Sequence, residues 1–296
     1  MIQCQKHLFN LKPNNHYLNC AYKAPLLKSA EEAAIKALIK ERNPSDLEVN
    51  DFFYESEKVK ELFGEIVNCN KNNVALIPSS SYGFSSILNN IPTHKSKKAI
   101  CVKNEFPSGY FALKRWCENN QNNLEIIDVD PTLKKKGLNW NQSLIDAIDK
   151  NTSVVLISSI HWMNGLKFEL NTIGEKCKAV GAKFIVDGTQ SVGALPMDVI
   201  SYNIDALVCA CYKWLFGPYS MAISYLSDSF NNGTPIEESW MNRTNARDFS
   251  GITNYETKYQ PKAGRYNVGE TSNFILMPIL HQGLNQLNSW GIENIQ

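Results

Sequence analysis

Apolar residues recur at helical spacing in two stretches near the start of the chain, APLLKSAEEAAIKALIKERN (residues 24–43) and DFFYESEKVKELFGEIVN (51–68), which predicts two opening helices. The pattern then changes. Short apolar runs of strand length follow: NVALIP, KKAICV, LEIIDV, SVVLISS, KFIVD and DALVCA. Most are separated by stretches of helical character, such as ELNTIGEKCKAVGA. Strand alternating with helix predicts an α/β fold built on a mainly parallel sheet covered on both faces. SMAISYL adds a strand that returns antiparallel, for about seven strands in a mixed sheet flanked by helices. From Ser229 to Asn273 the chain is polar and without periodicity, and a stretch of that length in a compact domain is usually functional or disordered. Helical pattern resumes in FILMPILHQGLNQLNSWGIENIQ, where Phe274, Leu276, Ile279, Leu280, Leu284, Leu287 and Trp290 give more apolar surface than one packed face uses. An exposed patch, favouring association, is expected there.

Composition adds exclusions. Thirty basic against twenty-nine acidic residues give a net charge of +1, so no global field draws nucleic acid or an anionic membrane. The expected partners are a small-molecule substrate and protein. The start, MIQCQKHLFNLKPNN, lacks the apolar core of a secretory signal, and no run approaches a membrane span, so a cytoplasmic protein is expected. The eight cysteines sit mostly in apolar segments, as reduced core thiols do. Cys209 and Cys211 would share one strand face, and no second Cys or His pair at zinc spacing lies nearby, so no metal site is expected.

In open parallel sheets ligands lie beyond the carboxyl ends of the strands, which directs attention to the residue after each apolar run. NVALIP leads into Ser79, Ser80 and Ser81. Hydroxyls and free backbone N–H groups at a helix start suit a phosphate dianion, and serine there is equally a plain N-cap. Phe106, between a strand and Pro107, either stacks on a planar ring or fills the core. His161 and Trp162 precede the Asn164-Gly165 turn, where they line a pocket or stand exposed. Asp187 closes the run KFIVD, with Gln190 three residues on. A carboxylate there either meets a cation or hydrogen-bond donor, or caps a helix. Lys213 lies 213 − 187 = 26 residues later at the end of the next strand, in DALVCACYKWLFGPYS. Alone it reads as a snorkelling lysine. Together with the carboxylate, the aromatic and the phosphate cup, it meets the needs of pyridoxal 5'-phosphate. The lysine forms a Schiff base with the aldehyde, and the carboxylate keeps the pyridine nitrogen protonated.

With those residues in place, FIVDGTQSVGALPMDV and DALVCACYKWLFGPYSMAISYL resemble the cofactor-binding core of class-V aminotransferases, the fold-type I pyridoxal-phosphate enzymes that include cysteine desulfurases, kynureninases and isopenicillin-N epimerase-like proteins. The likeness runs from HYLNCAYKAPL to VGETSN and the final helix; EFPSGYFAL, SSIHWMNG, YKWLFGP and GETSN place it nearest the epimerase-like branch. The resemblance implies Lys213 as the Schiff-base lysine, Asp187 on the pyridine nitrogen, Gln190 on the ring hydroxyl, Phe106 stacked on the ring, and Ser80 and Ser81 on the phosphate. Tyr212 offers a further hydroxyl to the phosphate. It also implies a homodimer in which Thr271 of GETSN reaches the other subunit's phosphate, and a substrate side formed by Tyr22, His161 and Trp162.

The sequence departs from desulfurases at Tyr212 and Ala210, where those enzymes carry a histidine and a hydroxyl residue. The resemblance divides the chain into an N-terminal segment lining the active site (1–20), a cofactor-binding large domain (21–274) and the start of an interdomain helix (275–296), with a small C-terminal domain missing. The expected function is chemistry on an amino acid or related amine: epimerase, lyase or aminotransferase. The alternatives are a cysteine desulfurase or selenocysteine lyase-like enzyme, or a truncated chain that binds cofactor without turnover.

Overall fold

The computed structural model describes residues 2–92, 97–129, 132 and 135–295. Its centre is a sheet of seven strands: β1 (Val74–Ile77), β2 (Lys98–Val102), β3 (Asn123–Ile127), β4 (Thr152–Ser158), β5 (Lys183–Asp187), β6 (Ala206–Ala210) and β7 (Ala222–Leu226). Their spatial order is β1-β7-β6-β5-β4-β2-β3. The pairs of β2 with β3 and β4, of β4 with β5 and of β5 with β6 are parallel. β7 runs antiparallel to both β1 and β6, as SMAISYL predicts.

Alternate residues of the strands feed two apolar layers, as the period of two requires. Val74 and Leu76 of β1 join Ile100, Val102 and Cys209 on one face, under α2 (Tyr54–Val67), α5 (Lys136–Ala147), α6 (Leu170–Val180) and α7 (Leu276–Trp290). Ala75, Ile77, Cys101 and Val208 turn to the other face, under α3 (Ser80–Leu88) and α4 (Pro107–Asn120). Cys209 and Cys211 both join the first layer, and no cysteine is in a disulfide. Of the other two helices, α1 (Lys28–Lys40) lies outside α7, and the short α8 (Ile292–Ile295) follows α7.

Two expectations need correction. The surplus apolar surface of the last helix is covered, because α7 is packed from more than one side. Leu280, Leu284 and Leu287 are fully buried in the core, where each contributes about 1.5–3 kcal/mol. Ile279 faces Leu27 and Ala30 of the α1 region. Phe274 meets Phe52 edge-on at 5.0 Å, and Trp290 packs on Phe216 at 5.8 Å. The polar stretch after Ser229 is likewise ordered, through turns and short 3-10 helices. Its Tyr266 is buried in the second layer, and its end is tied to β1: Val268 N–H donates to Leu76 O (2.8 Å), and Leu76 N–H to Asn267 Oδ1 (3.0 Å). Periodicity is blind to a segment held by such cross-links.

Among the described residues, no helix is long and apolar enough to cross a membrane.

Candidate active site

Lys213 stands where β6 leaves the sheet. Cys211 N–H donates to Met221 O, and Gly217 N–H donates back to Cys211 O (2.9 Å), closing a tight loop around the lysine. Phe216 adopts a left-handed φ of 52° within it. Gly217 has no room for a side chain, since a Cβ would lie 2.8 Å from both Cys211 Cβ and Leu280 Cδ1. The lysine is 7% exposed, so the snorkelling reading does not hold. Its Nζ sits 5.8 Å from the ring centres of Phe106 and Tyr212, and it makes no hydrogen bond or ion pair among the described residues. Burial lowers its pKa and the charge of Asp187 partly opposes that, so more of the amine is neutral and nucleophilic than on a surface lysine.

Asp187 ends β5 between Ser158 of β4 and Val208 of β6, in register with both. It is 5% exposed. Oδ1 accepts from Thr189 N–H at 2.9 Å. Burial raises its pKa against the hydrogen bonds from Thr189 and the charge of Lys213. Such a carboxylate is costly without a cationic partner and is stabilised by any N–H⁺ brought to it.

Around this pair a narrow cleft is lined by Ser80, Phe106, Ser158, Trp162, Asp187, Thr189, Gln190, Ala210, Tyr212 and Lys213. The two readings of the serine run are divided among neighbours. Ser79 is the N-cap of α3, its Oγ accepting from Tyr82 N–H at 3.2 Å, which leaves Ser80 at the first helical position to face the cleft. Phe106 and Trp162 meet edge-on at 5.6 Å, with the indole held by Trp162 Nε1–H to Asn104 O (2.8 Å). Gln190 is held at both ends of its amide: Nε2 donates to Ala21 O (3.0 Å) and Oε1 accepts from Trp214 Nε1–H (3.2 Å). Ala24 N–H donates to Tyr212 O, so the chain near residues 21–24 is stitched to the site's edge.

Four of the sequence candidates lie outside the cleft's lining. Ser81 shares a hydrogen bond with Ser79 Oγ and borders a separate cavity between α3 and α4. Tyr22 is 72% exposed. His161 is neither exposed nor in the cleft: the ring is buried against Trp140, and Nε2 pairs with Lys103 O at 3.1 Å. The 159–168 turn folds back on itself, through Phe168 N–H to Ser159 O, and carries the ring inward. Thr271 is buried within the 229–273 segment, its hydroxyl against Met241 Sδ.

Three contributors escaped the sequence reading. Ser158 and Thr189 line the cleft, and Glu105 lies beneath it. Glu105 carried only a weak signal: it is an acid three residues past a buried apolar run, after Lys103 and Asn104.

The sheet order, the flanking helices and a cleft at the carboxyl edge of the parallel strands define the fold-type I pyridoxal-phosphate transferase fold. The chain belongs to the class-V aminotransferase family, whose family model matches residues 44–296. It is 21% identical over 243 residues to the uncharacterized aminotransferase YcbU of Bacillus subtilis, covering 81% of this chain and 61% of that protein. The structure is similar to a C-DES mutant with glycine covalently linked to its PLP cofactor (TM-score 0.84, 18% identity, 98% of this chain and 75% of that one). It is also similar to the apo cysteine desulfurase of Thermococcus onnurineus NA1 (TM-score 0.78, 17% identity, 99% and 73%).

The family's cofactor is pyridoxal 5'-phosphate, and the residues fit it. Among the described residues, a buried lysine with no hydrogen bond or ion pair, a buried carboxylate with no ion pair, and a capped helix start that presents Ser80 face one cleft.

Proposed function

We propose that this protein acts on an amino acid or related amine with pyridoxal 5'-phosphate as cofactor. The observation that carries the reading is the placement of Lys213 and Asp187 in one cleft, both buried and neither in an ion pair among the described residues. When bound, the cofactor supplies an aldehyde that condenses with amines and a ring that accepts electrons from the substrate α-carbon. Lys213 would hold that aldehyde, and its Nζ would be the base that moves the substrate proton. Asp187 keeps a proton on the ring nitrogen. Phe106 forms one wall. Ser80 and the start of α3 would receive the phosphate, with Tyr212 as a further hydroxyl donor. Gln190 would meet the ring hydroxyl. Trp162, which lines the cleft, is assigned to the substrate side.

The chain spans 61% and 64% of the lengths of the first two curated relatives it matches. Epimerase, lyase and aminotransferase outcomes are all open to the site, and the reading extends to a cytoplasmic homodimer. Likeness to a cysteine desulfurase structure supports a second reading, carbon–sulfur chemistry on cysteine.

The test is borohydride reduction of the protein loaded with pyridoxal phosphate, followed by peptide mass spectrometry. A pyridoxyl adduct on Lys213 is expected. An adduct on another lysine, or none, overturns the assignment. Release of sulfide or alanine from cysteine, compared with turnover of other amino acids, separates the two readings of the chemistry.

A further inference from the structure

Glu105 follows β2 and is 5% exposed, yet it forms no ion pair among the described residues. Both carboxyl oxygens are engaged by donors. Phe106 N–H donates to Oε1 at 2.7 Å, Ser158 N–H donates to Oε2 at 2.8 Å, and the Ser158 hydroxyl donates to Oε1. Phe106 and Ser158 belong to different strand ends, and both line the cleft beside Lys213. We propose that Glu105 is a positioning residue of this site, joining the aromatic wall at Phe106 to the floor at Ser158 and fixing which way the Ser158 hydroxyl points. While the Ser158 hydrogen is committed to the carboxylate, its oxygen can only accept toward the cleft. A proton on Glu105 reverses this. The acid then donates to Ser158 Oγ, and the serine hydrogen is free to turn into the cleft.

The surroundings suit such a role. Asp187 acts on Glu105 from β5 and Cys101 from the preceding β2, while α4 approaches it at Gly109, where a Cβ would be 3.9 Å from Glu105 Cγ. Burial, reinforced by the Asp187 charge and opposed by the Ser158 and Phe106 hydrogen bonds, pushes the carboxyl up to about 7. A change of Ser158 from acceptor to donor therefore falls near neutral pH. The inference rests on the cleft being the cofactor site proposed above, but its first readout needs no cofactor.

Carbon-detected NMR of the side-chain carboxyls in cofactor-free protein, assigned by comparison with Glu105→Gln, is expected to show one glutamate titrating near 7. In Ser158→Ala the same carboxyl should titrate higher, by about one unit, because its hydroxyl donor is gone. With pyridoxal phosphate as probe, Glu105→Gln should bind on the order of tenfold more weakly, since an amide cannot accept from all three donors. Its visible spectrum should also lose a pH transition centred near 7 that wild type shows. If Glu105→Gln does not fold, the Ser158→Ala shift and the wild-type transition still decide. A Glu105 carboxyl titrating near 4.5, or one unmoved by Ser158→Ala, overturns the proposal. So does a folded Glu105→Gln protein with the wild-type affinity and pH-dependent spectrum. Absence of pyridoxal phosphate binding in wild type would defeat the functional reading while leaving the NMR result standing.

Discussion

Gln190 Nε2 and the carbonyl of Ala21 are hydrogen-bonded at 3.0 Å across 169 residues of sequence. The same amide accepts from the Trp214 indole, next to Lys213. One side chain thus fastens the N-terminal segment to the lysine loop. Gln190→Ala frees both partners and should cost about 1–2 kcal/mol of stability, measured by urea denaturation. Cleavage near residues 10–24 in limited proteolysis should speed up in the variant. Unchanged stability and cleavage would mean that Phe9 on Phe216 and Ala24 on Tyr212 hold the segment without it.

Asp187→Asn separates function from fold. Burial holds the Asp187 pKa above its ordinary value, so the folded state keeps its proton longer than the unfolded chain does. Stability therefore falls as pH rises from the unfolded pKa through the raised folded one. The neutral amide escapes that penalty, and thermal denaturation at neutral pH should find the variant as stable as wild type or more so. Amino-acid turnover should fall on the order of a hundredfold or more as the proton on the ring nitrogen loses its partner. Full activity would return Asp187 to a capping role.

Glu105 predicts a second pH dependence. Its carboxyl ionises near 4.5 when unfolded and near 7 when folded. Between those values the unfolded chain binds fewer protons, so wild-type stability should drop by about 3 kcal/mol from pH 4.5 to 7 through this group. Glu105→Gln should lack that component, whatever its constant loss of hydrogen bonds. Denaturant titrations at half-unit pH steps for both proteins provide the check; parallel curves would show that Glu105 does not titrate in this range.

Gly283 lies on the face of α7 against the loop that follows Lys213. A Cβ there would sit 2.5 Å from Leu215 O and 3.1 Å from Phe216 C and O, all of them backbone atoms that cannot rotate away. Gly283→Ala should therefore destabilise by about 1–3 kcal/mol despite alanine's better helix propensity. Retention of pyridoxal phosphate during dialysis should fall with it. Wild-type stability would mean that the helix shifts without strain.

The strands were legible because their apolar runs are short and bounded, and Asp187 and Lys213 were legible because each ends such a run with a charge. Phe106 showed itself through the proline behind it. The division of Ser79, Ser80 and Ser81 was not legible, since it depends on where the helix begins by a single residue. The inward turn of His161 depends on the backbone bond of Phe168 to Ser159, which leaves no local mark. The cover on α7 comes from α1 and Phe52, more than two hundred residues earlier, and no window along the sequence contains both.

The three serines that open α3 impose a condition on length as well as on composition. Each helical residue turns the chain by about 100°. Ser79 caps the helix from extended backbone, and Ser80 toward the cleft and Ser81 toward the α3–α4 cavity are successive steps of that rotation. Inserting or deleting one residue between Ile77 and Tyr82 would advance every role by a step, putting the capping hydroxyl where the cleft needs a donor. At this turn a frame-preserving indel should do more harm than a serine-to-alanine exchange, and tolerance to substitution should coexist with intolerance to any change in spacing.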